Sequence, residues 1–434
     1  MNLTIIPSAI GGNVRIPTSK SEAHRLLIAA ALSALYNNDP NPRTLFVECT
    51  DTNEDIDATA RCLCGLGANI QRSGNGFFVT PITQDSLKDV TDDTVIDCGE
   101  SGSTLRFILP IIPALKLSVK INMHGRLPQR PLSPLYEELV AHGAELSEQG
   151  SVPLRVGGVL DSGTNEFSIR GDVSSQFVSG LLFALPLLYG NQTLTVTGQA
   201  ESVPYIYMTL DAISKFTDRI HGQLPTFRIC ESGSANCSTL TAGGDWSGVA
   251  FWLAAGVIGK RPITVSGVDL DTRQGDAKII DVLRSFGGKI EVSANSVTAY
   301  PSKLYGASVD ATQIPDLVPI VATVAAVADG KTEIFGAARL RLKESDRLES
   351  VTRMLSGLGA DILQLDDGLI INGKRYLDGG TVDSFSDHRI AMSAGVAATV
   401  CKSPVTVLGA QCVSKSYPAF WNDYNSLGGA FENE

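Results

Sequence analysis

No stretch of this chain is long and apolar enough to suggest a membrane span. The run around Phe107 to Leu117 is short and broken by Pro110 and Pro113, whereas a spanning helix needs about 20 apolar residues. The opening MNLTIIPSAIGG has neither a basic stretch nor a long apolar run. It is expected to be a strand and turn of the mature protein, not a signal or transit peptide. Metal-binding patterns are missing too. There is no pair of C-x2-C motifs, Cys62 and Cys64 form only C-x-C, Cys230 and Cys237 fall in an expected loop, and the five histidines lack ligand spacing. No metal and no cofactor is expected. Scattered cysteines without a leader point to a reducing cytoplasm. Positive charge is scarce: 35 Lys and Arg face 46 Asp and Glu, a net charge of -11. Such a protein does not seek nucleic acid or anionic membranes. Any anionic ligand must therefore meet a local basic cluster.

The chain's 434 residues suit two or three domains, and 43% hydrophobic with 19% charged residues describes a soluble globular protein. Six segments share one design, a small polar entry followed by an Ala-, Leu-, Val- and Gly-rich helix. They begin at Ser19, Ser101, Ser174, Gly244, Ile314 and Ser386, spaced by 82, 73, 70, 70 and 72 residues. After most of them comes a β-type run such as QTLTVTGQA, RPITVSGVD, KTEIFGAAR or SPVTVLGAQ, then an amphipathic helix ending in Gly and a strand. Two copies of that second helix, PYIYMTLDAISKF and YPAFWNDYNSLGG, look truncated or divergent. The unit reads β-α-β-α-β-β. The first helix of each is apolar on most sides and is expected to be buried among its fellows, with the strands in outer sheets. The fold class is thus α/β, with two similar domains of three units each and a junction at LTAGGDWSG, residues 240 to 248.

Cations recur at the starts of these helices, where the dipole disfavours them. Arg25 lies just inside a helix that Ser21 could cap, with Lys20 before it. Arg106 falls in a first turn if Ser103 caps, and Arg389 does so if Ser386 caps. In LRLKESDRLES, Lys343 and Arg347 flank Ser345, a plausible cap, and Leu348, Val351, Leu355 and Leu358 then follow at helical spacing. An anion at the helix N-termini would reverse the cost, because backbone N–H groups, dipole and Arg all favour it. Lys415, Arg126 and Arg130 could join. Taken singly, each residue has an ordinary explanation. Asp346 could neutralise Arg347, Asp387 could neutralise Arg389, Asp316 could be an N-cap, Glu344 a surface acid, and SSQ at 174 to 176 a polar cap. The set carries the weight.

The motifs S-K-S-x-x-x-R, S-S-Q, S-x-P-Y, I-P-D, K-E-S-D-R-L, D-H-R and K-S-Y-P occur in that order along the chain. In this it resembles the 3-phosphoshikimate 1-carboxyvinyltransferase, or EPSP synthase, family over essentially its whole length. The resemblance implies an inside-out α/β barrel of two domains, residues 1–19 plus 243–434 on the phosphoenolpyruvate side and 20–242 on the shikimate 3-phosphate side. It also implies an active site in the cleft between them, in a monomer. The implied reaction joins phosphoenolpyruvate to the 5-hydroxyl of shikimate 3-phosphate and releases phosphate. Shikimate 3-phosphate would meet Lys20, Ser21, Arg25, Ser174, Ser175, Gln176, Ser202, Tyr205, Asp316 and Lys343. Phosphoenolpyruvate would meet Lys20, Gly102, Arg126, Gln176, Arg347, Arg389 and Lys415. Asp316 would take the hydroxyl proton and Glu344 would protonate the methylene carbon, with Lys20 and Lys415 assisting. Two departures stand out: Phe107 replaces a common Pro in ESGSTLRF, and Arg339 stands where an Asn is common. Two rivals share the repeat plan. A UDP-N-acetylglucosamine enolpyruvyl transferase would show Lys-Asn at the first helix start and a reactive loop Cys or Asp. Here Lys20 precedes Ser21, and no Cys lies between Cys98 and Cys230. A six-repeat clamp around DNA would line its inner helices with cations, but these helices are Ala- and Leu-rich.

Overall fold

The computed structural model describes residues 1–160, 163, 165–230 and 239–433. Cys237 lies outside them. The chain forms two compact units, Met1–Pro17 with Gly243–Glu434, and Thr18–Ala242. Strand pairing explains the discontinuous one. Gly12–Arg15 runs parallel to Ile263–Ser266, and Leu3–Ile6 lies between Val405–Leu408 and Ala430–Asn433. The sequence reading placed residues 18 and 19 with the first segment. Thr18 instead exchanges hydrogen bonds with Asp51, at 3.3 and 3.2 Å, and Ser19 caps the Lys20–Tyr36 helix.

Each unit contains three four-stranded sheets among the described residues, and all six sheets combine one parallel with two antiparallel pairings. This is the pairing that a β-α-β-α-β-β unit requires, since only parallel neighbours need a crossover helix. Strands such as Glu166–Arg170 and Lys331–Phe335 alternate exposed and buried residues, so one sheet face meets solvent. The helices behind them are buried nearly all round. All 11 residues of His388–Ala398 are buried, as are 11 of the 13 in Trp246–Ile258. Small residues allow that packing: a Cβ on Gly256 would lie 2.7 Å from the Ala299 methyl. Each unit has its own hydrophobic core. Among the described residues, no helix is long and apolar enough to cross a membrane.

The buried helices of a unit point the same way. In the Gly243–Glu434 unit, Ile258, Val327 and Thr399, at or near the C-terminal ends, line one cavity. In the other unit Leu35, Leu115 and Leu188 do the same. The N-terminal ends therefore gather at the opposite pole. The second helices pack outside. Val203–Ser214 has 12 residues, as many as Glu54–Gly65, so that copy is not truncated. Phe420–Ser426 has 7, as do Leu135–Ala141 and Ile279–Ser285, so it is not truncated either.

Candidate active site

Four helix caps lie one or two residues from where the sequence suggested. Ser19, Ser101, Asp346 and Asp387 accept the orphan N–H bonds, not Ser21, Ser103, Ser345 and Ser386. The reason is backbone conformation. A cap must be extended, and Ser386 has φ of +54° beside Phe385 at +53°. These two left-handed residues turn the chain so that Asp387 caps and Arg389 enters the first turn. Arg106 is correspondingly one turn into Gly102–Ile108, not at its start. Ser174 does cap its helix, through Gln176 N.

In the Gly243–Glu434 unit the pole is an ion network around Arg347, whose side chain is 1% exposed. Its Nε donates to Asp387 Oδ2 at 2.8 Å, Nη1 to Asp316 Oδ1 at 2.6 Å, and Nη2 to Glu344 Oε2 at 2.7 Å. Asp316 also faces Lys343 Nζ and Arg389 Nη2, each at 3.3 Å. Lys415 Nζ donates to the Ser386 carbonyl at 2.9 Å. Two pairings suggested by sequence are exchanged. Asp346 pairs with Arg341, and Asp387 pairs with Arg347 while accepting only the backbone N–H of Arg389. Asp316 caps nothing. It sits in the Pro315–Leu317 turn before the Val318–Ala325 helix and serves three cations.

The charges shape each other. Burial pushes the Asp316 carboxyl up, but Arg389, Lys343 and Arg347 outweigh it and hold it well below the usual carboxylate range. Burial brings Lys343 down to about 8 despite Asp316. Burial also disfavours charge on Arg347, yet Asp387, Glu344 and Asp316 keep it firmly protonated. Sequence reasoning missed Asp276, which is 1% exposed and whose Oδ2 accepts from the Ser247 hydroxyl. That hydroxyl in turn accepts from Arg389 Nη2 at 3.2 Å. Nothing in the polar stretch RQGDAK marked this Asp as buried in the sequence.

In the Thr18–Ala242 unit, Lys20 Nζ pairs with Asp55 Oδ2 at 2.9 Å. Arg25, 3% exposed, donates to the Ser21 carbonyl and to Thr209 Oγ1, both at 2.8 Å. Its guanidinium lies 4.9 Å from the Phe107 ring and 5.8 Å from Tyr205. Phe107 is thus a platform for Arg25. Burial brings Arg25 down to about 10. Gly102 begins the next helix start, where a Cβ would lie 2.5 Å from Arg130 Nη1 and 2.6 Å from Arg106 Nη1. Arg106 donates to Gln176 Oε1 at 3.2 Å, and Gln176 Nε2 donates to Ser103 Oγ at 2.9 Å, so the amide is held from both sides. Ser175 is buried beside it, and Arg126 is exposed just before the Leu127–Gln129 turn. Ser202 holds φ of +50° at the entry of Val203–Ser214, a conformation that costs a non-glycine residue about 1 kcal/mol or more.

A buried chain unseen in the sequence joins the two helix starts. His24 Nδ1 meets Thr59 Oγ1 at 2.6 Å, Thr59 meets Thr104 Oγ1 at 2.6 Å, and Thr104 donates to Ser101 Oγ at 2.7 Å. Burial, with Lys20 and Arg25 nearby, keeps His24 neutral. Arg339, in the other unit, donates to the Thr312 carbonyl at 2.8 Å. Each unit thus collects its own part of the expected set: Asp316, Lys343, Glu344, Arg347 and Arg389 in one network, and, in the other unit, Ser21 and Tyr205 around Arg25, with Gly102 and Gln176 around Arg106.

Comparison with known proteins bears on this arrangement. The family model described as EPSP synthase (3-phosphoshikimate 1-carboxyvinyltransferase) matches residues 5–424. A Clostridium kluyveri protein named 3-phosphoshikimate 1-carboxyvinyltransferase is 40% identical over 443 residues, covering 99% of this chain and 98% of its own. A Clostridium perfringens protein of the same name is 41% identical over 433 residues, covering 99% of both. The structure of an Acinetobacter baumannii EPSP synthase superimposes with a TM-score of 0.79 at 22% identity, covering 100% of both chains.

Proposed function

The chain belongs to the EPSP synthase (3-phosphoshikimate 1-carboxyvinyltransferase) family, and from that premise we propose how its residues divide the reaction. The enzyme transfers the enolpyruvyl group of phosphoenolpyruvate to the 5-hydroxyl of shikimate 3-phosphate, giving 5-enolpyruvylshikimate 3-phosphate and phosphate. Relatives of this name, at about 40% identity over nearly the whole chain, favour this reading over a sugar-nucleotide acceptor or a clamp-like ring.

Both substrates carry a carboxylate and a phosphate, so approach requires cations placed in advance. Lys20, Ser21, Arg25, Ser174, Ser175, Ser202, Tyr205, Asp316 and Lys343 take shikimate 3-phosphate. Lys20, Gly102, Arg126, Arg347, Arg389 and Lys415 take phosphoenolpyruvate, and Gln176 lies against both substrates. The observation that carries this reading is Asp316, a quarter exposed and ringed by Lys343, Arg347 and Arg389. Such a carboxylate is a weak base in bulk terms. It works by direct reach to the hydroxyl as the C–O bond forms. Glu344, paired with Arg347 in the unliganded protein, takes a proton from solvent as phosphoenolpyruvate engages Arg347 and delivers it to the methylene carbon; the tetrahedral adduct then expels phosphate and returns a proton from the methyl group to Glu344. Lys20 and Lys415 steady the negative charge and the proton traffic.

The test is phosphate release from phosphoenolpyruvate with shikimate 3-phosphate, with UDP-N-acetylglucosamine as the parallel acceptor. Release should occur only with the first and be lost in Asp316→Ala and Arg389→Ala. Full activity in Asp316→Ala would remove it from the chemistry.

A further inference from the structure

Asp276 sits in the Gly275–Lys278 turn, almost wholly buried, and among the described residues no cation pairs with it directly. Its Oδ2 accepts from the Ser247 hydroxyl, while Oδ1 is buried without a hydrogen-bond partner. A buried carboxylate oxygen so placed is costly when ionised. Ser247, in the first turn of Trp246–Ile258, is the bridge. Its single proton goes to Asp276, which leaves a lone pair to accept from Arg389 Nη2 at 3.2 Å. The charged groups facing Asp276 are Asp245 at the cap of that helix, Asp316 in the turn before the next, and Arg389 at the start of the third. Two of the three repel its charge.

We propose that Asp276 is a positioning residue that fixes Arg389 through Ser247, and that it takes up a proton when phosphoenolpyruvate engages Arg389. This rests on the reading above that Arg389 binds phosphoenolpyruvate. An arriving anion adds negative charge at the one cation that favours ionised Asp276. The balance then shifts to the neutral acid. With the new proton on Oδ2, Ser247 accepts from both Asp276 and Arg389. Its own proton becomes available to the anion. The proton comes from solvent and no covalent bond changes. Burial, with Asp316 and Asp245, sets Asp276 at about 6 in the unliganded protein, so uptake falls in the neutral range.

The experiment is the pH dependence, from 5.5 to 8, of kcat/KM for phosphoenolpyruvate at saturating shikimate 3-phosphate, in wild type, Asp276→Asn and Ser247→Ala. The substrate's own ionisation cancels in the ratio of variant to wild type. Asn cannot ionise, and its amide N–H can donate to Ser247 as the neutral acid would. Asp276→Asn should match wild type at pH 5.5 and exceed it roughly tenfold by pH 7.5, mainly through KM. Ser247→Ala removes the hydrogen bond that favours the carboxylate. It should raise KM and move the wild-type step to higher pH. A ratio flat with pH, or an equal loss of Asp276→Asn at every pH, would overturn the proposal. Should Asp276→Asn not fold, an unmoved step in Ser247→Ala would do the same. Arg389→Ala separates the two claims. If it leaves KM for phosphoenolpyruvate unchanged, the assignment of Arg389 falls. If it raises KM while the Asp276→Asn ratio is flat, only the proton uptake falls.

Discussion

Replacing Arg347 by Met removes the one cation that three carboxylates share. Asp316 and Glu344 are each about a quarter exposed, at 26% and 23%, so water can replace what they lose. Asp387 is 0% exposed and cannot be rehydrated. It would lose Nε at 2.8 Å and Nη2 at 3.3 Å, keeping Ser345 Oγ at 3.1 Å and the Arg389 backbone N–H at 3.0 Å. Stranding one member of a buried pair costs about 3–5 kcal/mol. That is a large share of the roughly 5–15 kcal/mol that holds a protein folded. The assay is intrinsic to the molecule. All three tryptophans, Trp246, Trp252 and Trp421, lie in the Gly243–Glu434 unit, so tryptophan fluorescence in a urea titration reports that unit alone. In wild type Arg347 outweighs burial and holds Asp387 below the ordinary carboxylate range. Its contribution is therefore present above about pH 4 and lost as pH falls through the folded value. In Arg347→Met, burial dominates and the deficit should shrink on acidification, as Asp387 takes a proton. Arg347→Met with Asp387→Asn should recover most of the stability, because Asn still caps the helix. A loss below about 1 kcal/mol, or no recovery in the double variant, would refute the reasoning about the stranded carboxylate.

Three further outcomes are expected. Lys343, lowered to about 8, loses its charge as pH rises through that value; KM for shikimate 3-phosphate should climb there, and Lys343→Arg should flatten the climb. In Gly102→Ala the new methyl meets the Arg106 and Arg130 guanidinium ends. These can move without harm to the fold but at the expense of Gln176, so kcat/KM should drop about tenfold, or about 1.4 kcal/mol, with thermal stability nearly unchanged. Asp276 is raised to about 6, so its contribution is full below its unfolded value and lost as pH rises through 6. Urea titrations should find Asp276→Asn more stable than wild type by about 3 kcal/mol at pH 8, with the gap closing below about pH 4.

The repeats and buried helices were legible because their cause is local. A helix such as Trp246–Ile258, apolar on every side, can be satisfied only by burial. The caps were legible to within two residues, because polar residues crowd each entry and only the backbone chooses among them. One sharper signal existed. Ser19 and Glu22, like Asp346 and Glu349, have the spacing of a capping box. The ion partners were not legible. Asp387 and Arg389 are neighbours in sequence, but side chains two apart on a helix do not face each other. Asp387 reaches instead to Arg347, forty positions earlier. The chain from His24 to Ser101 and the Asp276–Ser247 bridge depend likewise on which turns the fold brings together.

The common direction of the buried helices has an electrical consequence. In the Gly243–Glu434 unit, three of them present their starts at one pole, beside Ser247, Asp316 and Arg389. Together their peptide dipoles place about +1.5 elementary charges there. This charge belongs to the main chain. No pH titrates it and no side-chain substitution deletes it. Stripping the pole of its arginines one by one should therefore leave a floor of anion affinity, set by the architecture and shared by every variant that still folds.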